Sequence, residues 1–95
     1  MIYKLQFVPS ALKEWKKLGD TVRNEFKKAL EKRLKNPCIP KQKLSGWPNV
    51  YKIKLRSAGY RLIYEVLEKE IVVLVLAVGK RDKDEAYEKI SDRMK

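Results

Sequence analysis

Val50-Tyr51-Lys52-Ile53-Lys54-Leu55-Arg56 is followed, after Ser57-Ala58-Gly59, by Tyr60-Arg61-Leu62-Ile63-Tyr64-Glu65-Val66-Leu67. After Glu68-Lys69-Glu70 comes the run from Ile71 to Lys80. These segments predict strands over about 50–56, 60–67 and 71–80, because apolar residues recur at every second position in the first two. Connections this short force antiparallel neighbours. Ile71 to Val78 is apolar on both faces, which marks a central strand. Register follows from hydrophobic matching. Ile53 pairs with Leu62 and Leu55 with Tyr60, which sets Lys54 opposite Arg61 on the other face. A slip of one residue would turn Arg61 into the core.

Upstream, Met1 to Val8 alternates Tyr3, Leu5 and Phe7 with Lys4 and Gln6 and reads as a strand. Ser10 is the expected cap of a helix from Ala11, with Leu12, Trp15 and Leu18 as its stripe and Gly19 as its end. Asp20 or Thr21 then caps a second helix. Val22, Phe26, Leu30 and Leu34 recur along it, and Asn36-Pro37 stops it. Residues 36–49 form a loop. Downstream, Asp82 and Glu85 have capping-box spacing. They predict a final helix over about Lys83 to Arg93, striped by Ala86, Ile90 and Met94, with Tyr87 on its edge. The order is βααβββα, an α+β fold in which an antiparallel sheet carries packed helices. It forms one compact domain over residues 1–95.

Composition narrows the chemistry. The 95 residues are 44% hydrophobic, enough for one modest core. No histidine is present, so neither a Ser-His-Asp site nor a two-histidine ribonuclease site can exist. Zinc sites need Cys and His at set spacings, and the chain offers only Cys38. No metal site and no cofactor are expected. No intrachain disulfide is possible, and a single thiol suits a reducing cytoplasm. The N-terminus does not read as a signal peptide, and the eight-residue run Ile71–Val78 is too short to cross a bilayer.

Charge points to polyanions. Lys plus Arg number 23 against 12 Asp plus Glu, a net charge of +11. From Lys32 to Tyr64 there is no acid but there are nine basic residues: Lys32, Arg33, Lys35, Lys41, Lys43, Lys52, Lys54, Arg56 and Arg61. Like charges opposite one another destabilise a hairpin, so the Lys54–Arg61 pair suits a phosphate site better than a structural face.

RNA cleavage needs little equipment. The 2′-hydroxyl is the nucleophile. The protein must take one proton, supply one to the 5′-oxygen, stabilise charge and align the atoms. A lysine base must be neutral near pH 7, which requires roughly 4 kcal/mol of differential stabilisation. Neighbouring cations act in that direction, and Lys54 lies among Lys52, Arg56 and Arg61. Arg61 and Arg81 suit phosphate clamping, because arginine stays charged. Trp15 reads as core, Cys38 as a plain loop residue, and Trp47 is open between packing and stacking.

Residues 51–64 closely resemble the hairpin of the RelE family, toxins of bacterial and archaeal type II toxin–antitoxin pairs. Ala11 to Gly19, Lys43-Leu44 with Gly46, and Val78-Gly79-Lys80-Arg81 match as well, so the resemblance spans nearly the whole chain. It implies a RelE-like fold of microbial-ribonuclease type. It implies ribosome-dependent, metal-independent cleavage of mRNA in the A site, leaving a 2′,3′-cyclic phosphate and inhibiting translation. The catalytic positions correspond to Lys52, Lys54, Arg61, Arg81 and Tyr87. The resemblance implies Lys54 as general base and Arg81 as general acid, with Lys52 and Arg61 stabilising charge. By the same resemblance Tyr87 would stack on or orient a nucleobase, or would itself be the general base. Ser45 departs from the family pattern, where that position is often basic. Lys32, Lys43 and Arg56 are the candidates for holding RNA backbone. The implied partners are a RelB-like antitoxin, the ribosome with its 16S rRNA and mRNA, and operator DNA only through the antitoxin complex. No membrane is implied. Two other readings stand beside this one: a ParE-like inhibitor of DNA gyrase, and a non-catalytic RNA- or ribosome-binding module.

Overall fold

A computed structural model describes residues 2–56, 58–80, 89, 90 and 93. Strand β1 (Lys4–Phe7) leads into helices α1 (Pro9–Lys16) and α2 (Asp20–Lys35). A single 3-10 turn at Pro40–Gln42 then precedes strands β2 (Val50–Leu55), β3 (Tyr60–Leu67) and β4 (Val72–Lys80). Lys89, Ile90 and Arg93 are helical. Asp82 and Glu85 of the expected capping box lie outside the described residues, as do Ala86, Tyr87 and Met94.

The helix starts differ from expectation. α1 begins at Pro9 with Val8 as N-cap, not at Ala11 behind Ser10. Proline is pre-set for the first helical position, where its missing N–H costs nothing. α1 ends at Lys16, and Gly19 instead serves as the N-cap of α2 with extended backbone (φ −65°, ψ 157°). Asp20 falls in the first turn, where its carboxylate meets the positive helix end and pairs with Arg23 at 2.5 Å. α2 stops at Lys35, before Asn36-Pro37. In α1 the buried residues are Ala11 and Trp15, Leu18 is buried just beyond its end, and Leu12 is exposed.

The four strands are ordered β1-β4-β3-β2. β2 pairs antiparallel with β3 in the expected register, Ile53 with Leu62, Lys54 with Arg61 and Leu55 with Tyr60. β4 is antiparallel to β3 and lies inside the sheet. β1 is the correction: it joins β4 in parallel, Lys4 opposite Val72, so the sheet is mixed. The meander reverses direction at each short turn, whereas the route from β1 to β2 runs through two helices and is long enough for a crossover. β4 starts one residue later than expected because Ile71 sits in the turn at φ +56°.

The two faces of the sheet carry separate cores. On one, α1 and α2 pack Trp15, Phe26 and Leu30 against Ile53, Leu62, Tyr64, Val73 and Val75. On the other, Ile90 covers Val50, Ile63, Leu76 and Ala77, with Leu44 and Trp47 alongside. Between these faces β4 shifts register: Ile63 pairs with Ala77 but Tyr64 with Val75, leaving Leu76 as an inserted residue. Leu76 and Ala77 therefore face the same core, and Val78 returns to the helix side.

Candidate active site

The β2–β3 hairpin builds the site. Tyr51, Ile53, Leu62 and Tyr64 are locked into the helix-side core, so the alternating Lys52, Lys54 and Arg61 project from the opposite face. Gly59 closes the turn at φ +68°, a conformation glycine adopts without penalty, and its N–H donates to the Leu55 carbonyl at 2.9 Å. That closure fixes Leu55 against Tyr60, and hence Lys54 against Arg61. Arg61 pairs on its other side with Gly79 of β4. A row Lys54–Arg61–Gly79 thus crosses three strands, and Gly79 contributes no side chain to it. Lys52, Lys54 and Arg61 are half-buried and Arg56 is exposed. Stacking two cations across one ladder costs stability.

Beside this row runs a groove of about 560 Å³ between α2, the 3-10 turn and the outer edge of β2. Lys28, Lys32, Lys41, Lys52, Lys54 and Arg56 line it, and among the described residues Glu25 is the one acid in its lining. An extended polyanion fits such a groove, with phosphates spaced along a line of cations. Lys32 and Arg56 are therefore brought together with Lys52 and Lys54. Lys43 is not: it bridges Tyr51 and lines a separate depression over residues 43–48, which also holds Ser45 and Trp47. Arg81 and Tyr87 lie outside the described residues. Among the described residues no group of His, Cys, Asp and Glu could hold a metal ion.

Arg33 is the residue that the sequence pattern mislaid. It belongs to the basic block, yet its guanidinium turns inward: Nη1 donates to the Lys52 carbonyl at 3.2 Å and to the Tyr64 hydroxyl at 2.9 Å. The Tyr64 hydroxyl in turn donates to the Pro37 carbonyl at 2.7 Å. Burial pushes the Tyr64 phenol up, and Arg33 draws it back only in part. Tyr51 stacks on Tyr64 with ring centroids 5.8 Å apart. Burial, aided by Cys38, pushes its phenol up to about 12. Both tyrosines are therefore neutral supports beneath the cationic strand. Trp15 is core, in contact with Phe7 and Phe26, and Trp47 packs under the second core. Among the described residues no helix is long and apolar enough to cross a membrane.

A basic face on this α+β sheet belongs to a defined class. The profile described as "ParE toxin of type II toxin-antitoxin system, parDE" matches residues 5–85. The chain belongs to this RelE/ParE family of type II toxins. Within it, the chain is 51% identical over 94 residues, 99% of both proteins, to the mRNA interferase toxin RelE of Escherichia coli K12. Its backbone matches that of an arginine-to-alanine variant of the E. coli toxin RelE in the free state with a TM-score of 0.92, at 49% identity over the whole of both chains. It matches a chain of the intact E. coli RelBE toxin–antitoxin complex with a TM-score of 0.81. That match has 55% identity over 82% of this chain and 95% of the other.

Proposed function

We propose that this chain is the toxin of a type II toxin–antitoxin pair and cleaves mRNA in the ribosomal A site. What carries the reading is the 51% identity, over 99% of both chains, to a protein named mRNA interferase toxin RelE. The hairpin geometry supports it, because Lys54 and Arg61 face each other where a phosphate would be held.

In this reading the RNA 2′-hydroxyl attacks the adjacent phosphorus and gives its proton to Lys54, or to Tyr87 in the alternative assignment. The bond from phosphorus to the 5′-oxygen breaks, and that oxygen takes a proton from Arg81. The products are a 2′,3′-cyclic phosphate and a 5′-hydroxyl, and no metal or cofactor takes part. Lys52 and Arg61 balance the charge that grows on the phosphoryl oxygens. Tyr87 stacks on or orients a base. Lys32 and Arg56 hold backbone phosphates along the groove, and Lys43 makes a separate RNA contact.

The partners in this reading are the ribosome with its 16S rRNA and mRNA, and a RelB-like antitoxin through which operator DNA is reached. The protein acts in the cytoplasm, as one toxin domain over residues 1–95.

The test adds purified protein to mRNA, free and on programmed ribosomes, with EDTA controls on the free RNA, and maps the ends. Cleavage confined to the A site with a cyclic-phosphate end is expected. Cutting of free RNA would remove the ribosome from the mechanism. Absence of cutting in both settings by a toxic preparation would favour gyrase inhibition or plain RNA binding.

A further inference from the structure

β1 ends at Phe7 and the chain turns into α1 at Pro9, so among the described residues no strand lies beside β4 on that side beyond Val75. A bare strand edge leaves backbone donors and acceptors unmet. Here side chains take the missing strand's place. The Glu14 carboxylate accepts from the Val78 N–H at 3.1 Å. Arg93 donates to the Leu76 carbonyl at 2.6 Å, and Lys89 to the Val78 carbonyl at 3.3 Å. The same carboxylate pairs with Arg93 through both oxygens, at 3.0 and 2.9 Å, and with Lys89 at 2.5 Å. One acid on α1 therefore joins the strand end leading to Gly79 to the helical residues near the C-terminus, and through Arg93 it is linked to the register shift of β4 at Leu76. Its side chain is 17% exposed, so water screens these pairs little.

We infer that Glu14 is a positioning residue for RNA cleavage, acting as the catch that holds β4 and the C-terminal helical residues in fixed relation. In sequence, Arg81 and Tyr87 fall between Lys80 and Lys89, and the contacts of Glu14 lie on either side of them, at Val78 before and at Lys89 and Arg93 after. Val78 is also next to Gly79, the partner of Arg61. A displacement at this catch moves the strand end beside Arg61 and the anchors that flank Arg81 and Tyr87 in sequence, and misplacement of a reacting group by about 1 Å can cost around 10²-fold in rate. The inference rests on the proposed roles of Arg81 and Tyr87.

The experiment measures single-turnover cleavage on programmed ribosomes and ribosome affinity for Glu14→Gln, Arg93→Gln and the double variant. Each single variant is expected to lose about tenfold or more in the saturated rate, with affinity within about twofold of the parent. The double variant should lose no more than the worse single one, because both substitutions break one unit. Amide hydrogen exchange on Glu14→Ala supplies a readout independent of activity: the Val78 amide should exchange at least about tenfold faster while Val73 and Val75 keep their protection. Parent-like rates in Glu14→Gln, additive losses in the double variant, or an equally protected Val78 amide would each overturn the inference. Arg81→Ala and Tyr87→Phe run alongside. Parent-like cleavage in those two would remove the assigned roles of Arg81 and Tyr87 and with them the positioning role, leaving the exchange data to decide whether the catch itself exists.

Discussion

The guanidinium of Arg33 binds the Tyr64 hydroxyl at 2.9 Å while the same nitrogen reaches the carbonyl of Lys52 at 3.2 Å. A cation of α2 thereby ties a buried tyrosine of β3 to the edge strand that presents Lys52 and Lys54. Arg33→Met keeps much of the apolar stem but leaves the Lys52 carbonyl without this donor. A loss of about 1–3 kcal/mol is expected for such an unmet group. In a domain of this size each kcal/mol moves the melting temperature by roughly 4–8 °C. Thermal unfolding of the variant should show that drop, and an unchanged midpoint would mean that Arg33 is only a surface charge.

Lys54 separates two kinds of help to the reaction. Lys54→Arg retains the positive charge opposite Arg61 but substitutes a group that stays protonated. If Lys54 takes the 2′-hydroxyl proton, both Lys54→Arg and Lys54→Ala should lower the saturated cleavage rate by about 10²-fold or more. If the arginine variant keeps most of the rate while the alanine variant loses it, Lys54 acts through charge alone and Tyr87 becomes the base to examine. Single-turnover assays on programmed ribosomes distinguish the two.

The hairpin could be read from the sequence because three constraints agreed: strict alternation, a glycine turn, and the cost of burying Arg61 under any other register. The parallel pairing of β1 could not, since alternation in Tyr3, Leu5 and Phe7 gives a strand its faces but not its neighbour. At the start of α1, Ser10 offers a cap and Pro9 a first helical position, and the helix begins at the proline. Arg33 belongs to the basic block by composition, and composition does not say which way a side chain turns. A clue existed in its position on α2: Arg33 lies one turn beyond Ala29 and next to Leu34, at the border of the apolar stripe. Glu14 had no such signal, as its partners Val78, Lys89 and Arg93 lie more than sixty residues away along the chain.

The groove predicts a salt signature distinct from any effect on chemistry. Lys28, Lys32 and Lys41 line it away from the Lys54–Arg61 row. Replacing all three by Gln should weaken binding to mRNA-programmed ribosomes. It should also reduce the log–log dependence of affinity on salt by about 2, the value for three lost contacts to single-stranded RNA. The cleavage rate at saturation should hold within about twofold of the parent. Titrations between low and high salt would check this. An unchanged slope would take the RNA path out of this groove.

Stability should depend on pH at both ends of the range, with opposite signs. Burial alone raises the Glu14 carboxyl, but the bonds from Arg93, Lys89 and the Val78 N–H outweigh it and hold the group below its ordinary 4.5. The unfolded chain then binds the proton more readily than the folded one. The contribution of Glu14 is therefore complete above about pH 4.5 and is lost as pH falls through the lower folded value. Tyr51 behaves in reverse. Burial raises its phenol from 10.0 to about 12, so the folded state favours the protonated form. Its contribution is complete below pH 10 and disappears as pH rises towards 12. Denaturant titrations across this range should give a plateau with two falling limbs. Glu14→Gln should lower the plateau and flatten the acid limb, because no carboxylate remains to be protonated there. Tyr51→Phe should make the alkaline limb shallower, with the raised Tyr64 phenol sustaining part of what remains, and leave the acid one as it was. If Glu14→Gln leaves the acid limb unaltered, other carboxylates govern acid unfolding and the ion cluster on the edge of β4 contributes little to it.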